Sequence, residues 1–130
     1  MKYTTIFFDG KISWDLSNVG IPEFDDHNSL YNMRFEWLPS EKFYELQVSM
    51  FDADRKYTQN AIELFWGNIE PENIGKILCQ MMGGNTFYSF ALLYSEEGEL
   101  MDFQEGRHRI VACKILGIEK VPVWNFTKKK

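Results

Sequence analysis

Glu105-Gly106-Arg107-His108-Arg109 places a carboxylate, a glycine, two arginines and a histidine directly ahead of the apolar run Ile110–Leu116. A strand-like pattern ends before Gly106 and a helix-like pattern begins after it. The first turn of a helix has N–H donors without helical partners and a partial positive charge. It is therefore a natural place for an anion. Cationic side chains there oppose the helix dipole, at a cost of about 0.3–1 kcal/mol each when exposed. A cluster of them makes physical sense where a bound anion offsets both the dipole and the charge. Gly106, Arg107, His108 and Arg109 are therefore the candidate anion-binding turn, with Gly106 allowing a ligand close to the backbone because it has no Cβ.

Helical spacing separates the roles. Arg107 and Arg109 are two residues apart and cannot share a helix face. Arg107 lies over Val111 and Lys114, which puts it at the rim. Arg109 lies over Cys113 and Leu116, an apolar stripe, so it should be the buried arginine and should need a carboxylate or phosphate partner. His108 stands beside Ala112; it could donate to a phosphate when protonated or hold a neighbour when neutral. Glu105 has two readings, a base or metal ligand beside a bound phosphate or a salt bridge to an arginine. Asp102 is a candidate for salt-bridge or metal support.

Other residues carry less chemistry. His27 sits with Asp25 and Asp26 in a polar loop and reads as solvated. No His/Cys cluster has zinc spacing, so no protein-held metal site is expected. Cys79 and Cys113 both fall in helix-like apolar patterns and read as reduced core residues. Met81 and Met82 likewise read as core. Trp14, Trp37, Trp66 and Trp124 are spread along the chain, and nothing in the pattern selects one for stacking on a base.

The elements that must hold the site follow from periodicity and turn chemistry. Asp9-Gly10 between β-rich runs is a two-residue hairpin signal. Residues 20–30 read as loop. Tyr31–Leu38 reads as a short strand ended by Pro39, with Ser40 as cap of the helix that follows. Tyr57, Ala61, Leu64 and Phe65 have helical spacing. Ile74, Ile77, Leu78, Met81 and Met82 define an amphipathic helix opened by Pro71 and stopped by Gly83-Gly84. Phe87–Tyr94 reads as one strand, Ser95–Gly98 as a turn, Glu99–Gln104 as its hairpin partner, and Arg107–Leu116 as a helix stopped by Gly117. Lys120–Phe126 is the last strand, and Pro122 argues that it lies at an edge or pairs only partly. Lys128–Lys130 reads as a short, frayed basic tail. The mixture of strands and helices with antiparallel links predicts an α+β fold.

Composition limits the function. With 130 residues, 45% of them hydrophobic, the chain suits one domain, 1–130, with its own core. A formal charge of −5 argues against a broad hold on nucleic acid, which needs a basic field. The N-terminal sequence has no apolar run of signal-peptide or membrane-spanning length.

The stretch Glu105–Trp124, EGRHRIVACKILGIEKVPVW, resembles the ParB/sulfiredoxin superfamily. That family combines a glycine-basic signature, a helix with a Leu-Gly stop and a Val-Pro-Val return strand. The preceding hairpin looks like the family's, and FEWLPSEKFYEL is similar to a strand–helix element of small stand-alone ParB-like proteins of phages and bacteria. The resemblance implies a small mixed sheet with flanking helices. Residues 85–126 would be the signature hairpin–helix–strand core and residues 1–35 a family-variable hairpin and loop. It also implies a nucleotide partner, ATP or CTP with Mg2+, held at the turn by Gly106, Arg107, His108 and Arg109. Hydrolysis or transfer of the phosphate is the first expected activity. Action on nucleic-acid backbone phosphate, as a nuclease or binding protein, is the alternative. A non-catalytic phage-type inhibitor or interaction protein is the third. Sulfiredoxin chemistry is not expected, because Arg107 stands where that enzyme has its cysteine. The expected location is the cytoplasm, or the host cytoplasm for a phage-encoded chain.

Overall fold

The computed structural model describes residues 6–19, 30–102 and 106–129. In chain order the elements are β1 (Ile6–Phe8), β2 (Ser13–Asp15), β3 (Tyr31–Pro39), α1 (Ser40–Ser49), α2 (Gln59–Gly67), α3 (Pro71–Met82), β4 (Thr86–Tyr88), β5 (Phe90–Tyr94), β6 (Leu100–Asp102), α4 (Arg107–Ile115) and β7 (Lys120–Lys128). The fold is α+β. One sheet has the order β1-β2-β4 and the other β3-β7-β5-β6. Both are mixed: β2 runs parallel to β4 and β5 parallel to β7, while the remaining pairs are antiparallel.

The first connection is longer than the Asp9-Gly10 pair suggests. Phe8 pairs with Ser13, which leaves Asp9–Ile12 as the connection. The Asp9 side chain organises it. One carboxylate oxygen accepts from the N–H groups of Lys11 and Ile12, and the other from the Trp14 indole. An aspartate bonding the backbone two and three residues on is a local turn of its own, so two residues do not suffice here.

Ser89 divides what the sequence presents as one strand. Phe87 lies opposite Trp14 in the three-stranded sheet, whereas Phe90 lies opposite Val123 in the four-stranded sheet. Ser89 is fully buried. Its N–H donates to the Asn18 carbonyl at 2.7 Å and its hydroxyl to the Asp15 carbonyl at 3.1 Å. These bonds satisfy its polar groups where the chain changes sheets.

β7 is an interior strand, paired with β3 on one side and β5 on the other. Of the two expectations from Pro122, the edge position is corrected, whereas partial pairing is what the strand shows. The reason is register: Pro122 lies opposite Trp37 of β3, and pairing with β5 begins only at Val123. Proline thus sits just before the second neighbour starts. The nearly continuous apolar run around it is what a strand buried on both faces requires. Phe90, Leu92, Val121 and Val123 join the main core with Phe43, Val48 and Ile110, whereas Ala91 and Phe126 join a second cluster with Val19. The alternation along β5 decides which residues face which cluster.

Other local expectations need adjustment. Ser40 is the first residue of α1 rather than its cap, and its hydroxyl donates to the Ile118 carbonyl at 2.6 Å. The α2 cap is Thr58, which accepts from the Ala61 N–H. α3 buries Ile74 and Met81, but Met82 is 76% exposed. One residue beyond Met81 is about 100° further round a helix, off the core face. Cys79 is exposed for the same reason, whereas Cys113 is buried; both are free thiols. In the basic tail, Lys128 ends β7, and the Lys129 N–H donates to the Leu30 carbonyl. Among the described residues, no helix is long and apolar enough to cross a membrane. The loop containing Asp25, Asp26 and His27 lies outside the described residues.

Candidate anion-binding site

α4 starts at Gly106, whose φ of 135° is a backbone conformation that L side chains rarely adopt. An added Cβ would lie 2.8 Å from Gln47 Nε2 and 2.8 Å from Phe90 Cδ1. The missing side chain therefore makes room for the core, not for a ligand. This changes the role expected for Gly106: it lets the head of α4 press onto α1 and β5.

Gln47 behind it is fully buried, and neither atom of its amide has a hydrogen-bond partner among the described residues. Leaving such groups unmade costs about 1–3 kcal/mol each. A native chain that keeps a polar side chain there has a reason beyond packing.

The three basic-turn residues then diverge as helical spacing predicts. Arg109 is 7% exposed. Its guanidinium carbon lies 4.2 Å from the Tyr88 ring centre and 4.1 Å from that of Phe90, and Nη1 donates to the Tyr88 carbonyl at 2.6 Å. Two aromatic faces and a carbonyl are thus among the partners of this buried guanidinium. Arg107 is exposed, as expected for a rim residue, and its Nε donates to the Asn68 carbonyl at 3.3 Å.

His108 is half-buried, and its Nε2 accepts from the Glu70 N–H at 2.9 Å. A ring nitrogen that accepts carries no proton, so this imidazole is neutral with its proton on Nδ1. Burial first, and then the charge of Arg107, lower its pKa from the ordinary value, while Glu70 acts the other way. Of the two roles foreseen for His108, it performs that of holding a neighbour.

Arg107 and His108 therefore tie the head of α4 to the α2–α3 connection. This tie creates a cleft of about 570 Å³. Gly106, Arg107, His108 and Arg109 form one wall, α3 forms the other, and Phe87 and Tyr88 contribute from β4. The α3 wall includes Asn73, Lys76 and Gln80, which recur at helical spacing on one stripe. Glu70 precedes that helix and accepts from the Asn73 amide at 2.5 Å.

The α3 stripe was missed in the sequence. Its apolar periodicity marked the core face, but the polar residues on the other side gave no separate signal. None of the four tryptophans lines the cleft.

Other clefts have similar size. One, about 530 Å³, lies by Phe7, Lys11 and Trp37; another, about 510 Å³, is an apolar hollow by Trp66, Pro71 and Ile115; a third, about 490 Å³, lies by Arg34, Tyr94 and Asn125. Size does not separate them. The cleft between α4 and α3 is distinguished by a helix N-terminus with cationic side chains on both walls.

Glu105 lies outside the described residues, so neither of its two readings meets a geometry here. Asp102 ends β6, and its strand partner is Leu93. The Cys113 thiol is pushed up to about 12, chiefly by burial, which makes it a packing residue without nucleophilic character at neutral pH. Among the described residues, no group of three or more His, Cys, Asp or Glu side chains could hold a metal ion. No family model, no curated protein and no solved structure matches the chain.

Proposed function

We propose that the chain binds the phosphate groups of a nucleotide, ATP or CTP, in the cleft between α4 and α3, as a ParB/sulfiredoxin-like protein would. The observation that carries this reading is the convergence of Arg107 and Arg109 with Lys76 of α3 around the N-terminus of α4 in one cleft. Side-chain cations and helix N–H groups are complementary to phosphate in both charge and donor geometry. Phosphate would offset the unfavourable placement of Arg107 and Arg109 against the helix dipole.

Magnesium fits as a companion of the phosphates. Mg2+ is commonly held by one or two carboxylates together with substrate phosphates, and it would neutralise phosphate charge there. Glu70 is the described carboxylate lining the cleft. Hydrolysis or transfer of the phosphate belongs to the same proposal, with Glu105 as its candidate base.

The test is thermal melting and calorimetry with ATP, CTP, GTP and UTP, each with and without Mg2+. A ligand specific for the folded state must raise the melting temperature, and Arg107→Ala should reduce that rise. No melting shift and no heat with any nucleotide would sink the proposal.

A further inference from the structure

β3 is the end strand of its sheet, and among the described residues its strand partner is β7 alone. In an antiparallel pair the backbone groups of alternate residues point to the neighbour and the rest point away. β3 therefore presents about half of its N–H and C=O groups on an open edge. Its nine residues make that edge about 30 Å long, at about 3.4 Å per residue. Short strands, bulges and edge lysines are the usual guards against edge-to-edge pairing. The other end strands, β1, β4 and β6, have three residues each, and β6 pairs irregularly with β5. β3 keeps one unbroken register from Tyr31 to Pro39 and contains no lysine, and its proline is its last residue.

The strand YNMRFEWLP is also complementary to itself. Successive side chains alternate between faces, so facing residues of two antiparallel copies must come from the same face. With Phe35 on the two-fold axis, Arg34 faces Glu36 of the second copy, and Glu36 faces Arg34 of the second copy. The nearest registers that keep the faces centre on Arg34 or on Glu36 and set like charges opposite each other, which is unfavourable. Arg34 Nη2 lies 3.1 Å from Glu36 Oε2 of its own chain, and the Arg34 side chain is 79% exposed. A guanidinium has five N–H donors, enough for its own Glu36 and for that of the second copy. On the opposite face the same register sets Met33 against Trp37, whose ring centre is 5.3 Å from that of Phe7 and 5.8 Å from that of Phe35. Met33 and Phe7 are both exposed in the single chain, and a thioether against an aromatic ring is a favourable contact.

We propose that the chain binds a second copy of itself along β3, antiparallel and centred on Phe35, so that two four-stranded sheets become one continuous sheet. Backbone hydrogen bonds along the edge supply the attraction. The two Arg34–Glu36 pairs choose the register, and the aromatic face around Trp37 closes over Met33 of the second copy.

Sedimentation equilibrium of the full chain tests this, with circular dichroism as the check on folding. The wild type should approach twice the chain mass of 15.4 kDa at high concentration and dissociate on dilution. Arg34→Glu turns both cross-strand attractions into repulsions and should weaken the dimer about tenfold or more. Arg34→Gln removes the attraction without adding repulsion and should fall between the two. Combining Arg34→Glu with Glu36→Arg reverses both pairs and should restore the dimer. A wild type that stays monomeric at about 1 mM, where even a pair of millimolar Kd is visible, overturns the proposal. So does a dimer whose affinity is unchanged in Arg34→Glu, since its interface lies elsewhere. A folded double variant that remains monomeric overturns the register centred on Phe35. The exposed Arg34 variants decide the outcome even where the double variant does not fold.

Discussion

The imidazole Nε2 of His108 accepts a hydrogen bond from the main-chain N–H of Glu70, 38 residues earlier in the chain. Glu70 stands immediately before Pro71, the first residue of α3. One ring nitrogen thus connects the start of α4 to the start of α3 and sets the width of the cleft between them.

This bond predicts a pH dependence. The His108 pKa is lowered in the folded chain, mainly by burial. Between that folded value and the ordinary value of about 6.5, the unfolded chain binds more protons than the folded one, so stability rises with pH in that window. The contribution is complete above about pH 6.5 and is lost as pH falls through the window. Protonation also removes the acceptor for the Glu70 N–H. Melting temperatures taken from pH 7.5 down to pH 5 should fall more steeply for the wild type than for His108→Gln, which keeps an acceptor without titrating. Parallel curves would contradict the assignment.

Arg109 should resist replacement by lysine. Its planar guanidinium lies over Tyr88 and Phe90 while donating to the Tyr88 carbonyl. An ammonium cannot reproduce the stacked plane. Urea unfolding of Arg109→Lys should show a loss of about 1–2 kcal/mol, the scale of a desolvated cation–π contact. A loss within error of zero would mean that the contacts on the two rings contribute little.

Gly106 and Gln47 touch, and substitution should move them in opposite directions. Gly106→Ala combines a positive φ with a Cβ 2.8 Å from Phe90 and Gln47. Strain and overpacking together predict a loss of about 2–4 kcal/mol. Gln47→Met keeps approximate length and removes an amide whose two polar atoms have no partner among the described residues. It should stabilise the protein by about 1–3 kcal/mol. Denaturant midpoints measure both. A stable Gly106→Ala protein, or a less stable Gln47→Met protein, would show that the packing at the head of α4 is read wrongly.

Much of the local structure was legible in the residues. The apolar spacing of Ile74, Ile77, Leu78 and Met81 with Pro71 and Gly83 around it defines α3, and the run from Ile110 to Cys113 with Gly117 after it defines α4. The separation of Arg107 and Arg109 onto different faces follows from helical geometry alone. The buried arginine could therefore be told from the rim arginine before any tertiary contact was known.

The break at Ser89 was not legible, because Phe87 and Phe90 have the same strand propensity and only bonds to Asp15 and Asn18 place them in different sheets. The interior position of β7 was hidden because Pro122 is compatible with either an edge or partial pairing. What decides between them is the residue at which β5 begins to pair, and this is set by register between distant segments. Gly106 looked like an opening for a ligand; its empty side faces Gln47 and Phe90.

Sequence by itself determined the helices, the turn carrying the basic residues and the inside–outside division of the two arginines, because these depend on contacts a few residues apart. Tertiary structure alone decided that Lys76 and Gln80 face that turn across a cleft, that His108 holds Glu70, and which way Gly106 opens. Those relations join residues some 16 to 59 positions apart, where packing rather than local periodicity chooses the partner.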